Sequence, residues 1–134
     1  MYIGYNLYFV EVVYLTDKNE FEVIFFKKDD NTIPVKDFLD SLDNKMRAKA
    51  VGMIIRLEKY GNELTEPYSK VLDDGICELR VKQGSNISRI LYFFRVGKKI
   101  ILTNGFIKKT QKTPKREIEL AKKYRKIYLE REAL

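Results

Sequence analysis

The chain has 134 residues, 45% apolar and 34% charged, a length that fits one domain (residues 1–134) with a sizeable core. A lone Cys77 excludes an intramolecular disulfide framework. The absence of histidine removes the commonest general base and the commonest zinc ligand, leaving acid–base chemistry to Glu, Asp, Lys, Tyr or Arg. The net charge of +7 is uneven: residues 1–78 hold 10 Lys/Arg against 15 Asp/Glu (net −5), and residues 79–134 hold 16 against 4 (net +12), so one half is suited to a polyanion.

The opening "MYIGYNLYFVEVVYL" lacks a positive leader region and a small-residue cleavage site, and it is too short to span a bilayer. A cytoplasmic chain with no membrane role is expected. Residues 8–15 alternate as a strand that is apolar on both faces, "TDKNE" supplies a turn, and "FEVIFFK" (21–27) reads as a strand able to pair with the first as a hairpin. An apolar edge of this kind needs a cover. The 2–15 segment is therefore a candidate contact for a partner or for a second copy.

Pro34 suits a first helical turn, and Val35, Phe38, Leu39 and Leu42 make one apolar stripe. Asp43 can cap a second helix, whose inner face would hold Met46, Ala50, Met53, Ile54 and Leu57 and which Gly61 would end. Residues 62–74 read as a loop. Strands are expected over 75–81, 88–96 and 98–106, joined by turns short enough for an antiparallel meander. In the first of them Cys77, Leu79 and Val81 face the core, with Cys77 a reduced core thiol, while Glu78, Arg80 and Lys82 share the other face. Tyr92, Phe93 and Phe94 read as core packing in preference to base stacking. Thr113 as N-cap and Pro114 start a last helix, acidic early (Glu117, Glu119) and basic late, with Ile118, Ala121, Tyr124 (or Arg125) and Tyr128 inward. The order β(β)ααβββα is that of an α+β domain whose helices pack on one twisted antiparallel sheet.

Arg80, Arg89 and the lysines at 108 and 109 come from three strands about 4.8 Å apart, so their long arms can reach one phosphate. By spacing alone a solvated basic sheet face is the competing reading.

"FEVIFFKKDDNTIPVKDFLDSL", "CELRV", "RILYFF" and above all "GFIKKTQKTP", which leads into a basic helix, resemble the RelE/ParE toxin superfamily, in its HigB-like, phage-derived branch, over roughly residues 21–128. Residues 1–20 fall outside that pattern as an extension, either an added strand or residues upstream of the true start site. The resemblance implies the toxin of a type II toxin–antitoxin system. It would be a ribosome-dependent mRNA endoribonuclease (mRNA interferase) that uses no cofactor and no metal, in which a 2′-hydroxyl attacks its neighbouring phosphodiester. By the same resemblance Arg89 clamps phosphate and Arg80 shares that task. Of Lys108 and Lys109, one meets transition-state charge and the other binds backbone. Lys82, Lys112 and Lys115 grip RNA. Many relatives carry His where Asn104 stands here, so the proton acceptor is left unassigned, with Glu78 a possible base and Tyr92 a remote one. The implied partners are a helix-turn-helix (HigA-like) antitoxin that hides the basic cleft, mRNA on the ribosome, and operator DNA only through the antitoxin complex. Three alternatives stay open: a ParE-type gyrase inhibitor, a basic module that only binds nucleic acid, and a degenerate scaffold for the antitoxin.

Overall fold

The computed structural model describes residues 21–109 and 111–134. The expected strand over 8–15, its hairpin with 21–27 and the contact role of 2–15 lie outside the described residues. Five strands and three α-helices follow in the order β1 (Glu22–Phe25), α1 (Pro34–Ser41), α2 (Asn44–Tyr60), β2 (Ser69–Asp73), β3 (Ile76–Gln83), β4 (Asn86–Arg95), β5 (Lys99–Ile107) and α3 (Lys115–Glu132).

The sheet order is β1-β5-β4-β3-β2. The meander β3–β4–β5 is antiparallel as expected, but the sheet is mixed, because β1 runs parallel to β5 with Glu22 opposite Lys99 and Phe25 opposite Leu102. Between them the chain crosses one sheet face through α1 and α2 and then lays down three alternating strands. That passage returns β5 in the direction of β1. β2, read from sequence as loop, is an antiparallel edge strand with Ser69 opposite Leu79 and Lys70 opposite Glu78. Its pattern is weak because an edge strand needs little apolar surface, and Val71 is 69% exposed.

The helices cover both faces of the sheet. On one face α1 and α2 bury Val35, Leu39, Met46, Ala50, Met53, Ile54 and Leu57 against Cys77, Leu79, Val81, Ile90, Tyr92, Ile100 and Leu102. On the other, α3 buries Ala121 and Tyr124 against Phe26, Ile76, Leu91, Phe93 and Ile101, and Tyr124 stacks on Phe26 at 4.7 Å. Asp43 caps α2 by accepting from the Met46 N–H at 2.8 Å. Arg47 donates to the carbonyls of Leu39, Asp40 and Leu42 at the end of α1, where Leu39 also accepts from the Leu42 N–H. Gly61 closes α2 at φ +53, with the Phe21 ring so near that a Cβ there would lie 2.1 Å from it. Among the described residues no helix is long and apolar enough to cross a membrane.

One irregularity sets the phase of the last strand. Leu91 pairs with Asn104 and Tyr92 with Leu102, which leaves Thr103 as an extra residue whose hydroxyl donates to the Leu91 carbonyl at 3.1 Å. Ile100 and Leu102 therefore face α1 and α2, while Asn104 and Phe106, beyond the bulge, face α3.

Candidate functional site

A cleft of about 920 Å³ opens between the outer half of the sheet and the start of α3. Its lining includes Lys70, Glu78, Arg80, Arg89, Lys109, Lys112, Lys115, Arg116 and Glu117, so cations outnumber carboxylates seven to two there. The register explains why the arginines meet. Arg80 and Arg89 are directly opposed on β3 and β4, and Phe106 of β5 stands opposite Arg89 on the other side. Like charges directly opposed on neighbouring strands destabilise a sheet, and Glu78 resolves the conflict.

Glu78 has no exposed surface. Its Oε2 accepts from Arg89 and, at 3.1 Å, from Arg80 Nε, while its Oε1 accepts from the Thr113 hydroxyl. Burial alone would raise this carboxyl. Hydrogen bonds from Arg89 and Thr113, the charge of Arg89 and the bond from Arg80 outweigh that and hold it below the ordinary range. Thr113 is thus not the expected N-cap: Pro114 takes that position without a side-chain cap, and the hydroxyl is spent on Glu78. It also ties the loop before α3 to the paired arginines.

Arg89 is 3% exposed and forms the floor of the cleft, with its Nε lacking a hydrogen-bond partner. Arg80 is the more accessible arginine, its side chain 26% exposed, and it also reaches Glu66 at 3.4 Å. Lys108 opens onto an adjoining hollow of about 360 Å³ that shares Lys109 and Gln111 with the cleft. Its ammonium is held below the ordinary lysine value by partial desolvation and by the charges of Arg89 and Arg80, against the pull of Glu78. The three strands therefore bring Arg80, Arg89 and Lys108 within one another's fields. Lys109, Lys112 and Lys115 line the wall. Lys82 is exposed on β3, outside the cleft lining. Among the described residues no three His, Cys, Asp or Glu side chains are grouped to hold a metal ion.

The structure separates the two bases considered from sequence. Tyr92 is 1% exposed beneath α1 and α2, and burial pushes its phenol far above the ordinary value, a hydrogen bond with Ser69 offsetting only part of this. Glu78 lies in the cleft but is committed to its three donors. The sequence does not mark Lys70, Thr113, Arg116 and Glu117 as site residues, yet all four line the cleft. Lys70 was hidden in a weak edge strand. Thr113 and Glu117 were read as helix-start chemistry, and only the fold shows them turned toward the sheet. Asn104 is buried and donates from Nδ2 to the Glu117 carbonyl at 3.2 Å and to its Oε1 at 3.1 Å, fixing the first turn of α3 on the sheet.

Residues 37–126 match the family described as "Phage derived protein Gp49-like". Two relatives, each named "Probable endoribonuclease HigB1", come from Mycobacterium tuberculosis strains CDC 1551 / Oshkosh and ATCC 25618 / H37Rv. Both are 34% identical to this chain over 106 residues, which cover 78% of it and 82% of each of them. With two thirds of its length matched to that family and most of its length to those relatives, the chain belongs to the phage-derived Gp49-like proteins, a HigB-like group within the RelE/ParE toxin superfamily.

Proposed function

We propose that residues 1–134 form a single toxin domain of a type II toxin–antitoxin system, an endoribonuclease that cuts mRNA on the ribosome by 2′-hydroxyl attack. The observation that carries this reading is the meeting of Arg80 and Arg89 in one cleft whose walls add Lys109, Lys112 and Lys115, with Lys108 in the adjoining hollow. The activity for which the relatives are named, endoribonuclease, supports it. A phosphorane gains negative charge as it forms, so cations fixed beforehand stabilise it more than they stabilise the bound ground state. The 2′-oxygen already sits beside phosphorus, and holding it in line supplies much of the remaining rate.

The roles divide by exposure. Arg80, bound to Glu78 through Nε and to the exposed Glu66 through Nη1, keeps Nη2 for the scissile phosphate. Lys108 supplies charge to the transition state and Lys109 binds the adjoining backbone. Arg89 clamps the phosphate from the cleft floor and, through Glu78, aligns Arg80. Lys112 and Lys115, with Lys82 farther out, hold flanking RNA. A helix-turn-helix antitoxin encoded alongside would neutralise the domain by covering this surface.

Arg80→Ala is the test. Expression of the wild-type chain should arrest growth and yield new 5′ ends in primer extension on cellular mRNA. The variant, with an unchanged thermal midpoint, should do neither. Intact transcripts beside arrested growth would reject the nuclease, and loss of gyrase supercoiling in the same cells would place the activity in the ParE class. Arg89→Ala is the poorer test, because it strands Glu78 as a buried charge.

A further inference from the structure

Of the two carboxylates lining the cleft among the described residues, Glu78 and Glu117, the first has no capacity to spare. Both its oxygens are engaged by Thr113 and two arginines, and accepting a proton would undo the pairing that keeps those arginines adjacent. Glu117 is arranged differently. It sits in the first turn of α3, and its side chain is 19% exposed. Its Oε1 is oriented by Asn104 Nδ2, and the same amide group grips the Glu117 carbonyl, so backbone and side chain are fixed together. Its Oε2 has Arg116 Nε at 3.9 Å, and the side chain of Arg116 is 85% exposed. A pair so long and so wet holds the oxygen weakly.

The placement matters as much as the freedom. Arg80 and Arg89 enter the cleft from β3 and β4, and Glu117 enters it from α3. Asn104 stands opposite Leu91 on β5, and Phe106, two residues on, stands opposite Arg89. The cleft therefore has the paired arginines and Glu78 on its sheet side and, on its helix side, Glu117 beside Lys115 and Arg116. A phosphodiester seated on the arginines would share the cleft with Glu117.

We propose that Glu117 is the catalytic base, taking the proton of the attacking 2′-hydroxyl; the assignment rests on the ribonuclease reading above. The proton passes from O2′ to a Glu117 oxygen as the O2′–phosphorus bond forms. The phosphorus–O5′ bond breaks, and O5′ takes a proton from water or a neighbouring ammonium. Glu117 then returns its proton to solvent. The products are a 2′,3′-cyclic phosphate and a 5′-hydroxyl, with no net gain or loss of protons or electrons. Asn104 is the positioning residue that aims the base.

Glu117→Gln tests the charge apart from the architecture, because the glutamine oxygen can still accept from Asn104. Single-turnover cleavage of mRNA on ribosomes should fall about 10²–10⁴-fold, the usual contribution of general base catalysis. Affinity for the same RNA with a 2′-deoxy residue at the cut site should hold. A purely structural role predicts no change in rate, and a glutamine variant cutting at the wild-type rate overturns the proposal. Glu117→Ala provides a second route, since added formate should restore part of the rate; failure of every small carboxylate to do so also overturns it. If the wild-type chain leaves RNA intact, the ribonuclease reading itself falls, a result distinct from an active wild type with an equally active glutamine variant.

Discussion

The two faces of the sheet are built from the same strands and have opposite characters. Beneath α1 and α2 the packing is apolar, and burial pushes the Cys77 thiol up to about 11 and the Tyr92 phenol above its ordinary value. Beneath α3 only the inner half of the face is apolar. The outer half holds Arg89 and Glu78, both buried and charged, because each is the other's partner. Period-two alternation lets one strand serve both faces, with Cys77 and Leu79 on one side and Glu78 and Arg80 on the other. A region can thus be buried for two reasons, to exclude water from apolar surface or to strengthen fields between charges.

Substitutions can break that contrast, and the largest effect belongs to the charged side. Arg80→Ala should lower cleavage by roughly 10²–10³-fold, as loss of one transition-state donor does, while Leu57→Ala beneath α2 should leave cleavage per folded molecule unchanged. Stability should report the reverse for that pair. Leu57 is fully buried, and its truncation should cost about 2–5 kcal/mol in urea unfolding; Arg80, one-quarter exposed, should cost far less. Glu78→Ala should harm both readouts, with a loss of about 3–5 kcal/mol from stranding a buried guanidinium and a fall in cleavage as Arg80 loses its anchor.

Acidity sharpens the comparison further. The folded-state value of Glu78 is depressed, so its contribution to stability is present above the unfolded carboxylate value and is lost as pH falls through the folded one. Urea midpoints should therefore decline in acid below the ordinary range of about 4.3, and Glu78→Gln should flatten that decline. Cys77 has the opposite sign. Its folded value is raised, so its contribution holds below the unfolded value and is lost as pH climbs toward about 11. Alkylation by iodoacetamide at pH 8 should be slow until denaturant is added. The smallest expected effect is Gly105→Ala. A Cβ there would lie 2.4 Å from the Phe38 ring, and the resulting overpacking of α1 on β5 should cost about 1–3 kcal/mol.

Much of this was legible in the chain. The stripes of α1 and α2, the Asp43 cap and the meander followed from local patterns, because each residue's neighbours in sequence are also its determinants. Strand spacing left two readings open for Arg80, Arg89 and Lys108, a shared phosphate site or a solvated basic face, and the register sets the two arginines opposite each other. Three things needed the fold. The parallel pairing of β1 depends on a partner some 75 residues away in sequence. β2 leans on β3 and carries little hydrophobic signal of its own. Thr113 and Glu117 have the composition of any helix start, and only the placement of α3 across the sheet turns one toward Glu78 and the other toward Asn104.

The extra residue at Thr103 works as a parity switch. It lets the first half of β5 obey the demands of the α1–α2 layer while the second half keeps a phase of its own. Drawing that residue into the ladder without deleting it would leave the composition untouched, yet Asn104, Phe106 and every side chain after them would change sides. Deleting Thr103 would instead close the bulge and keep Asn104 opposite Leu91, so the face that the later residues occupy depends on the extra residue staying out of the ladder.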